Sequence, residues 1–404
     1  MKQYPLIGKC LVVGIILLFI GTGIIPAIAQ ESEKPSQSTS RGNWLYVGGS
    51  GPGNYSSIQA AINATSSGDT VFVYAASSPY YENVIINKSI NLIGENRNTT
   101  IIDGKKIDDP IWIKASFVTV SDFTISNGST ENLQAGIHII EKKWYHPDNP
   151  PCRLTNIHIA NCIIKNNRCG IWLVNTYTVN ISSCRIHNNP SHSIYLCPSS
   201  HVSINNCEIT DNGDIYPGGI VVGKDSMNGI ISQNITVSNC SLSNNIWAGI
   251  WITDSARNIE ICHNNIFENT HVGIIVSASN AKIYDNHIYD NGVGGFFFDG
   301  GVFLQDCINN VTVNDNTIET NNQYGLYLLR SSANSVKKNN FIHNKCNAFF
   351  SGFSFFNHWN GNYWTDWAGI GPKLIKGKLG EELIPWVNFD WRPAQEPYDI
   401  PGTK

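Results

Sequence analysis

One phrase returns along this chain at a nearly fixed interval, and it constrains the fold more than any other feature. The phrase runs apolar-x-apolar, then Asn or Cys, x, apolar, a few polar residues with Asn, then Gly-apolar-x-apolar. Its copies anchor at Cys162, Cys184, Cys207, Cys240, Asn264, Asn286, Asn316 and Asn339, at intervals of 22, 23, 33, 24, 22, 30 and 23 residues. The two long intervals hold insertions, residues 211–233 and 292–309, which must bulge outward as loops. Each copy contains only short period-2 strands, such as Val179 with Ile181, then Ile186, then Ile194 with Leu196. No helical pattern or hairpin turn separates them. Short strands that return every 22–24 residues predict an all-β chain: a single-stranded right-handed parallel β-helix. Its coils would stack about 4.8 Å apart. A leucine-rich horseshoe, the rival repeat, needs a helical segment and a Leu spacing that are missing here.

Composition agrees. The 404 residues include 49 Asn and 54 Ile but only two Met, and only 14% are charged. Asn, Gly and β-branched side chains disfavour helix interiors, whereas 42% hydrophobic residues can fill a sizeable core. A net charge of -4 leaves no basic surface for a phosphate backbone, which argues against a nucleic-acid partner. Ile belongs to the stacked interior and Asn to the bends. At the repeated anchor, identical Asn side chains can hydrogen-bond coil to coil. Cys162, Cys184, Cys207 and Cys240 would substitute there as small buried free thiols, because stacked Cβ atoms nearly 5 Å apart exceed the roughly 3.5–4.5 Å of a disulfide. Cys152, Cys169, Cys197, Cys262, Cys307 and Cys346 cannot be paired from sequence.

The chain divides into four parts. Residues 1–29 read as an export signal: Lys2 and Lys9, an apolar run from Cys10 to Ile25, and an Ala27-Ile28-Ala29 cleavage site. An uncleaved membrane anchor is the alternative. Residues 30–43 form a polar linker, 44–356 the β-helix, and 357–404 a Trp-rich, irregular C-terminal cap containing Trp359, Trp364, Trp367, Trp386 and Trp391. At the other end, residues 55–62 form a capping helix with Ser56 or Ser57 as N-cap and Ile58, Ala61 and Ile62 on one face. Strands at residues 71–74, 84–86, 90–93 and 100–102 then begin the coils. Export gives meaning to nine Asn-x-Ser/Thr triplets, among them Asn54, Asn63, Asn87 and Asn98, as glycosylation sites of a surface protein. A chain so rich in Asn and Ser also makes such triplets by chance.

The opening YSSIQAAI from Tyr55, the Gly68-Asp69-Thr70-Val71 and Tyr81-Glu82-Asn83-Val84 motifs and the INLIGE run from Ile90 to Glu95 resemble the entry to secreted β-helix proteins common in archaea. These are the NosD-like proteins, also called carbohydrate-binding and sugar-hydrolase (CASH) domain proteins. The exit NHWNGNYW, from Asn357 to Trp364, is similar to the terminal N-x-W-x-G-N-Y-W of the NosD family. The acidic, Gly-rich stretch and Pro-Tyr that often follow that motif are missing, with Ile384-Pro385-Trp386 near their place. The resemblance spans nearly the whole mature chain and implies the fold; the departure argues against a role in maturing a copper site.

In the Gly-apolar-x-apolar strands the x position points outward between two core residues. Read down the repeat it runs His138, Trp172, Tyr195, Val221, Trp251, Ile275, Phe297, Tyr327, Phe350. A strip so aromatic calls for a partner. Sugar rings present apolar C–H faces to aromatic rings while their hydroxyls meet polar neighbours. The strip is therefore a candidate platform for a polysaccharide or glycan, with Trp172, Tyr195, Trp251, Phe297 and Tyr327 as stacking residues. Asn175, Lys224, Asp254 and Arg330, three positions further along, would meet hydroxyls or carboxylates. Two readings compete: an insertion such as 141–151 or the Trp-rich tail covers the strip, or the strip docks a cell-envelope protein.

Catalysis by a polysaccharide lyase or glycoside hydrolase would need paired carboxyls, and Asp225 with Asp254 is the best pair on offer. An insertion separates them, so neither is assigned a catalytic role. Asp285, Asp290, Asp299, Asp306 and Asp315 form a looser group, read as solvated turn carboxylates with a bound Ca²⁺ as the one cofactor to consider. The 11 His form no H-x-x-x-H pair and no Cys-x-x-Cys is present, so no metal site is assigned. The reading is an exported, cell-surface β-helix that recognises glycan along an aromatic face. An enzyme, a structural envelope protein and a NosD-like metal-site accessory protein are the alternatives.

Overall fold

In a computed structural model of the chain, the inward Ile, Val and Leu side chains stand directly above one another from coil to coil. The described residues are 42–131, 133–141, 153–214, 217–223, 231–253, 256–307, 310–380 and 384–400. The proposed export signal and nearly all of the linker lie outside them. About 13 turns of right-handed parallel β-solenoid follow. Each turn contributes to three sheets. The first sheet stacks Ile171, Ile194, Ile220, Ile250 and Ile274. The second stacks Ile157, Val179, Val202, Ile235 and Ile259. The third stacks Ile164, Ile186, Ile209, Leu242 and Ile266. All are buried in one continuous core, each worth about 1.5–3 kcal/mol.

Two sharp corners per coil let the chain return. Asn161, Ser183, Asn206, Asn239, His263, Asp285, Asp315 and Lys338 hold positive φ between the second and third sheets. Asn166, Asn188, Asp211, Asn244, Glu268, Asp290, Thr320 and His343 do so between the third and first. Asn and Asp tolerate this conformation best among residues with a Cβ, which is one reason the chain is rich in Asn.

Each left-handed residue is followed by a buried rung. At the first corner the amides of Asn264, Asn286, Asn316, Asn339 and Asn362 hydrogen-bond in sequence, Nδ2 to the next Oδ1, at 2.9–3.0 Å. The main-chain N–H of the preceding rung also donates to each of these oxygens, as from Asn264 to Asn286 at 3.0 Å, so the buried amides are satisfied. Below Asn264 stand Cys162, Cys184, Cys207 and Cys240, buried and free. Each thiol donates to the carbonyl two residues earlier at 3.2–3.3 Å. Hydrogen bonds from neighbouring thiols, together with burial, push the Cys184 thiol well above its ordinary value.

The second corner carries a ladder that a reading from one anchor per repeat overlooks: Asn167, Asn189, Asn212, Asn245, Asn269, Asn291, Asn321 and Asn344. Both ladders point their last N–H toward the C-terminus, and both meet a carboxylate. Asp390 accepts from Asn362 at 2.9 Å. Asp366 accepts from Asn347, the rung above Asn344, at 2.8 Å.

The helix Ile58–Ala64 covers the first end, with Ser57 as N-cap and Ile58, Ala61 and Ile62 buried. The Glu82 carboxylate accepts from the N–H groups of Ile58 and Gln59 at 2.8 and 2.9 Å, a structural use for the Tyr81-Glu82-Asn83-Val84 motif. A strand before the helix, Trp44–Val47, pairs in parallel with Thr70–Val73. At the far end the repeat runs past residue 356. His358–Asn360 and Tyr363–Trp364 pair as ordinary second- and third-sheet strands, so the NHWNGNYW motif is a coil. The cap is a regular antiparallel pair, Lys373–Leu379 with Ile384–Asp390. Trp359 and Trp364 are buried, whereas Trp386 and Trp391 are exposed. Among the described residues no helix is long and apolar enough to cross a membrane.

Candidate functional site

The outward row of the first sheet is read from its register as Trp112, His138, Trp172, Tyr195, Val221, Trp251, Ile275, Phe303, Tyr327 and Phe349. Two expected members change. Phe297 is not in the row, because the chain leaves the solenoid at Gly292 and rejoins it at Gly300; Gly301-Val302-Phe303-Leu304 supplies the strand that Gly295-Phe296-Phe297-Phe298 imitates. Phe350 is fully buried in the core, and its neighbour Phe349 faces out. Trp112, which the repeat pattern did not reach, extends the row by one coil.

The row has two environments. Toward the C-terminus Ile275, Phe303 and Tyr327 are buried and form a small second core with Ala248 and Val272. Residues 292–299 fold back over them, and the Phe298 ring stacks on Phe303 at 5.4 Å. The fully buried carboxylate of Asp299 holds this cover. It accepts from the N–H groups of Gly295 and Phe296 and pairs with His271 Nδ1 at 2.9 Å. Tyr327 is therefore packing, with its hydroxyl 2.7 Å from Ser351 Oγ. Phe297, exposed at the tip of the cover, lines the mouth of a pocket of about 200 Å³ beside Trp247, Trp251 and Phe298.

Toward the N-terminus no described residue roofs Trp172 and Tyr195, and nearly all of the 141–151 insertion lies outside the described residues. Trp172 and Tyr195, both half-buried with ring centroids 5.5 Å apart, wall a pocket of about 230 Å³ whose rim includes Arg168, His192 and Leu133. Trp172 is held from behind by His138, stacked at 5.1 Å and 10°. The imidazole of His138 is itself fixed by Asp109 at 3.0 Å, both groups being buried. The indole Nε1 of Trp172 is buried and has no hydrogen-bond partner among the described residues. A buried donor left in this state costs about 1–3 kcal/mol.

Beside the Arg168 guanidinium at the rim, three titratable groups of the pocket are uncharged at pH 7. Burial lowers His192 below its ordinary value and raises the Tyr195 hydroxyl. Burial, reinforced by the Asp109 carboxylate, raises Cys169, so this thiol is no nucleophile. The arrangement can stack a ring and exchange hydrogen bonds with a hydroxylated ligand, with the Arg168 guanidinium at its rim.

The remaining predicted site residues do not gather. Asn175 sits half-buried at the bend from the first to the second sheet with φ of 51°. Arg330 forks onto Asp306 at 2.7 and 2.9 Å, and this exposed pair holds the Asp306 carboxyl below its ordinary range. Lys224, Asp225 and Asp254 lie outside the described residues, as does nearly all of the 141–151 insertion. The five acids from Asp285 to Asp315 are dispersed: Asp299 on His271, Asp306 on Arg330, Asp285 and Asp315 at successive corners, with Asp290 at a corner of its own. Among the described residues no three His, Cys, Asp or Glu converge to hold a metal.

Comparison with known proteins agrees with this architecture. The model of the right-handed β-helix region matches residues 69–261, 179–342 and 232–371. A "Cell surface glycoprotein" of Methanothermus fervidus is 28% identical over 342 residues, covering 80% of this chain and 53% of that protein. The chain thus spans about half the length of this curated relative. Among solved structures, the A-module of the Azotobacter vinelandii mannuronan C-5 epimerase AlgE4 aligns with a TM-score of 0.57 at 18% identity, over 74% of this chain and 94% of that one. The catalytic unit of an α-1,3-glucanase from Streptomyces thermodiastaticus aligns with a TM-score of 0.53 at 12% identity, over 84% and 64%. Likeness at these identities is likeness of fold.

Proposed function

The chain belongs to the right-handed β-helix family, and on that premise we propose that it is a cell-surface protein that holds polysaccharide at the open end of its first-sheet aromatic row. The observation that carries the reading is the Trp172 indole. Its buried N–H has no partner among the described residues, and its ring, in contact with Tyr195, lines a pocket of about 230 Å³. A sugar hydroxyl or ring oxygen supplies the acceptor, and Trp172 and Tyr195 supply apolar faces for its C–H groups. The surface location is supported by the likeness to the Methanothermus glycoprotein. The NHWNGNYW motif supports a place among the NosD-like members of the family. Phe297 and Trp251, two coils further on, offer a second contact for an extended chain, whereas Tyr327 and Arg330 are taken up by internal contacts.

A glycan array probed with the purified chain tests this, followed by titration of the best hit against Trp172→Phe. That variant keeps an aromatic ring and loses the N–H. One neutral hydrogen bond contributes about 0.5–1.5 kcal/mol, so a roughly 2- to 12-fold weaker Kd is expected. An array without hits, or a Kd unmoved by Trp172→Phe, overturns the proposal. Release of new reducing ends from the bound glycan would replace binding by the lyase or hydrolase reading.

A further inference from the structure

The outer face of the second sheet carries a groove of about 750 Å³, separate from the aromatic row of the first sheet. Its wall arises from a kink repeated in every coil. His201, Asn234, Asn258 and Asn280 each kink a strand, and Asn310 stands two residues before the next, all with φ between 54° and 72°. Two residues further on, Ser203, Thr236, Glu260, Lys282 and Thr312 stack in register as the floor. Every one of these ten side chains is polar, in contrast to the aromatic row on the first sheet.

The wall is a surface amide run with a gap at its centre. Asn258 Nδ2 donates to Asn234 Oδ1 at 3.0 Å, Asn234 Nδ2 lies 3.1 Å from His201 Nε2, and Asn310 Nδ2 donates to Asn280 Oδ1 at 3.0 Å. Among the described residues no hydrogen bond joins Asn258 to Asn280. The same two coils place Glu260 and Lys282 on the floor, 2.9 Å apart. The centre of the groove thus combines an amide acceptor, an amide donor, a carboxylate and an ammonium, with hydroxyls and amides toward both ends.

From this juxtaposition we infer that the groove binds an extended, uncharged polysaccharide lying parallel to the solenoid axis, with one sugar per coil. The coil repeat of about 4.8 Å is close to the length of one pyranose in an extended chain, so equivalent hydroxyls meet equivalent wall and floor groups at each step. Charge selects the class: one acid and one base cancel, so neither a polyanion nor a polycation is favoured. Nucleic acid is excluded for the same reason. A peptide adding to the sheet is excluded too, because the strands are already hydrogen-bonded to both neighbours along the axis and offer no open edge. The site lies on a different sheet from Trp172 and stands whether or not the first-sheet reading does.

Asn234 and Asn310 each head an Asn-x-Thr triplet, and a sugar attached there would itself fill the groove. The test therefore uses the full chain made in a host without N-glycosylation. Cellohexaose, chitohexaose, mannohexaose and laminarihexaose are titrated, with hexagalacturonate as the acidic comparison. Hydroxyl-radical footprinting reads Lys282 and the strands around it separately from Trp172 and Tyr195. Expected are protection of the groove by at least one uncharged hexamer, at least fivefold weaker affinity in Glu260→Gln/Lys282→Gln, and no preference for the galacturonate. Both substitutions are exposed and nearly isosteric, and an unchanged circular dichroism spectrum verifies the fold. The inference is overturned if no hexamer protects the groove, if protection appears only at Trp172 and Tyr195, if the double variant binds as well as the parent, or if the acidic hexamer binds best. Protection confined to Trp172 and Tyr195 would leave the first-sheet reading standing while removing this one.

Discussion

The two halves of the outward aromatic row share backbone, register and residue type, yet among the described residues one is roofed packing and the other lines a pocket. Between Ile275 and Tyr327 the row is roofed by residues 292–299 and has become core. Around Trp172 and Tyr195 it lines a pocket and leaves an indole N–H without a described partner. Aromatic character at an outward β-helix position therefore does not report function by itself. What separates the halves is the cover, and the cover depends on Asp299, a buried carboxylate that ties two loop N–H groups to His271.

The largest expected effect tests the covered half. Tyr327→Ala removes a buried ring and a hydroxyl that meets Ser351, and it should lower unfolding free energy by about 3–5 kcal/mol. Trp172→Ala, at a half-buried position, should cost clearly less. Urea denaturation of the two variants measures both. Equal losses would mean that the open half is packing as well, and the contrast between the halves would be lost.

A smaller effect is expected from loosening the roof without touching the row. Asp299→Asn keeps the shape but replaces a charge-assisted acceptor by an amide, weakening its hold on His271, Gly295 and Phe296. The expected loss is about 1–3 kcal/mol, concentrated in residues 292–299. Hydrogen exchange should accelerate there and stay unchanged at the Asn ladders. Uniformly faster exchange along the solenoid would show that the roof is an integral part of the core and not a separate cover.

This contrast also marks where sequence pattern stops being informative. Inward Ile and Val positions, the Cys/Asn anchor and the capping helix all follow from local periodicity, because each coil repeats the same burial and the same left-handed corner. The second ladder, from Asn167 to Asn344, obeys equal periodicity but sits five residues after the first, so an alignment on one anchor passes over it. The pattern Asn-x4-Asn, as in Asn264 with Asn269 or Asn286 with Asn291, is the signal that would have found it. The row near Phe303 was out of reach for another reason. Gly295-Phe296-Phe297-Phe298 and Gly301-Val302-Phe303-Leu304 fit the repeat equally well, and only long-range contacts through Asp299 decide which one pairs with Ile274 and Ile275. Asp306 on Arg330 is likewise a pairing between coils, invisible to a pattern read within one coil.

The smallest effect expected is a pH dependence confined to the open half. His192 lies between Tyr195, at 4.9 Å, and the carbonyl of Pro217, at 2.6 Å from Nδ1. Burial lowers its folded pKa, and the neighbouring Arg168 adds to this, against a partial offset from the Pro217 carbonyl. The unfolded chain, with an ordinary His near 6.5, then binds the proton more readily than the folded one. Stability from this group is complete above that value and declines as pH falls from about 6.5 toward the lower folded pKa, the direction that linkage requires when the unfolded state holds more protons. Exchange protection around residues 191–195 should therefore fall between pH 7 and pH 5, while the roofed region around Tyr327 shows no change assignable to His192. His192→Gln should flatten the dependence around the pocket. A His192→Gln variant with the parent's acid sensitivity would assign the effect to another group and would remove the contrast in pH response between the two halves.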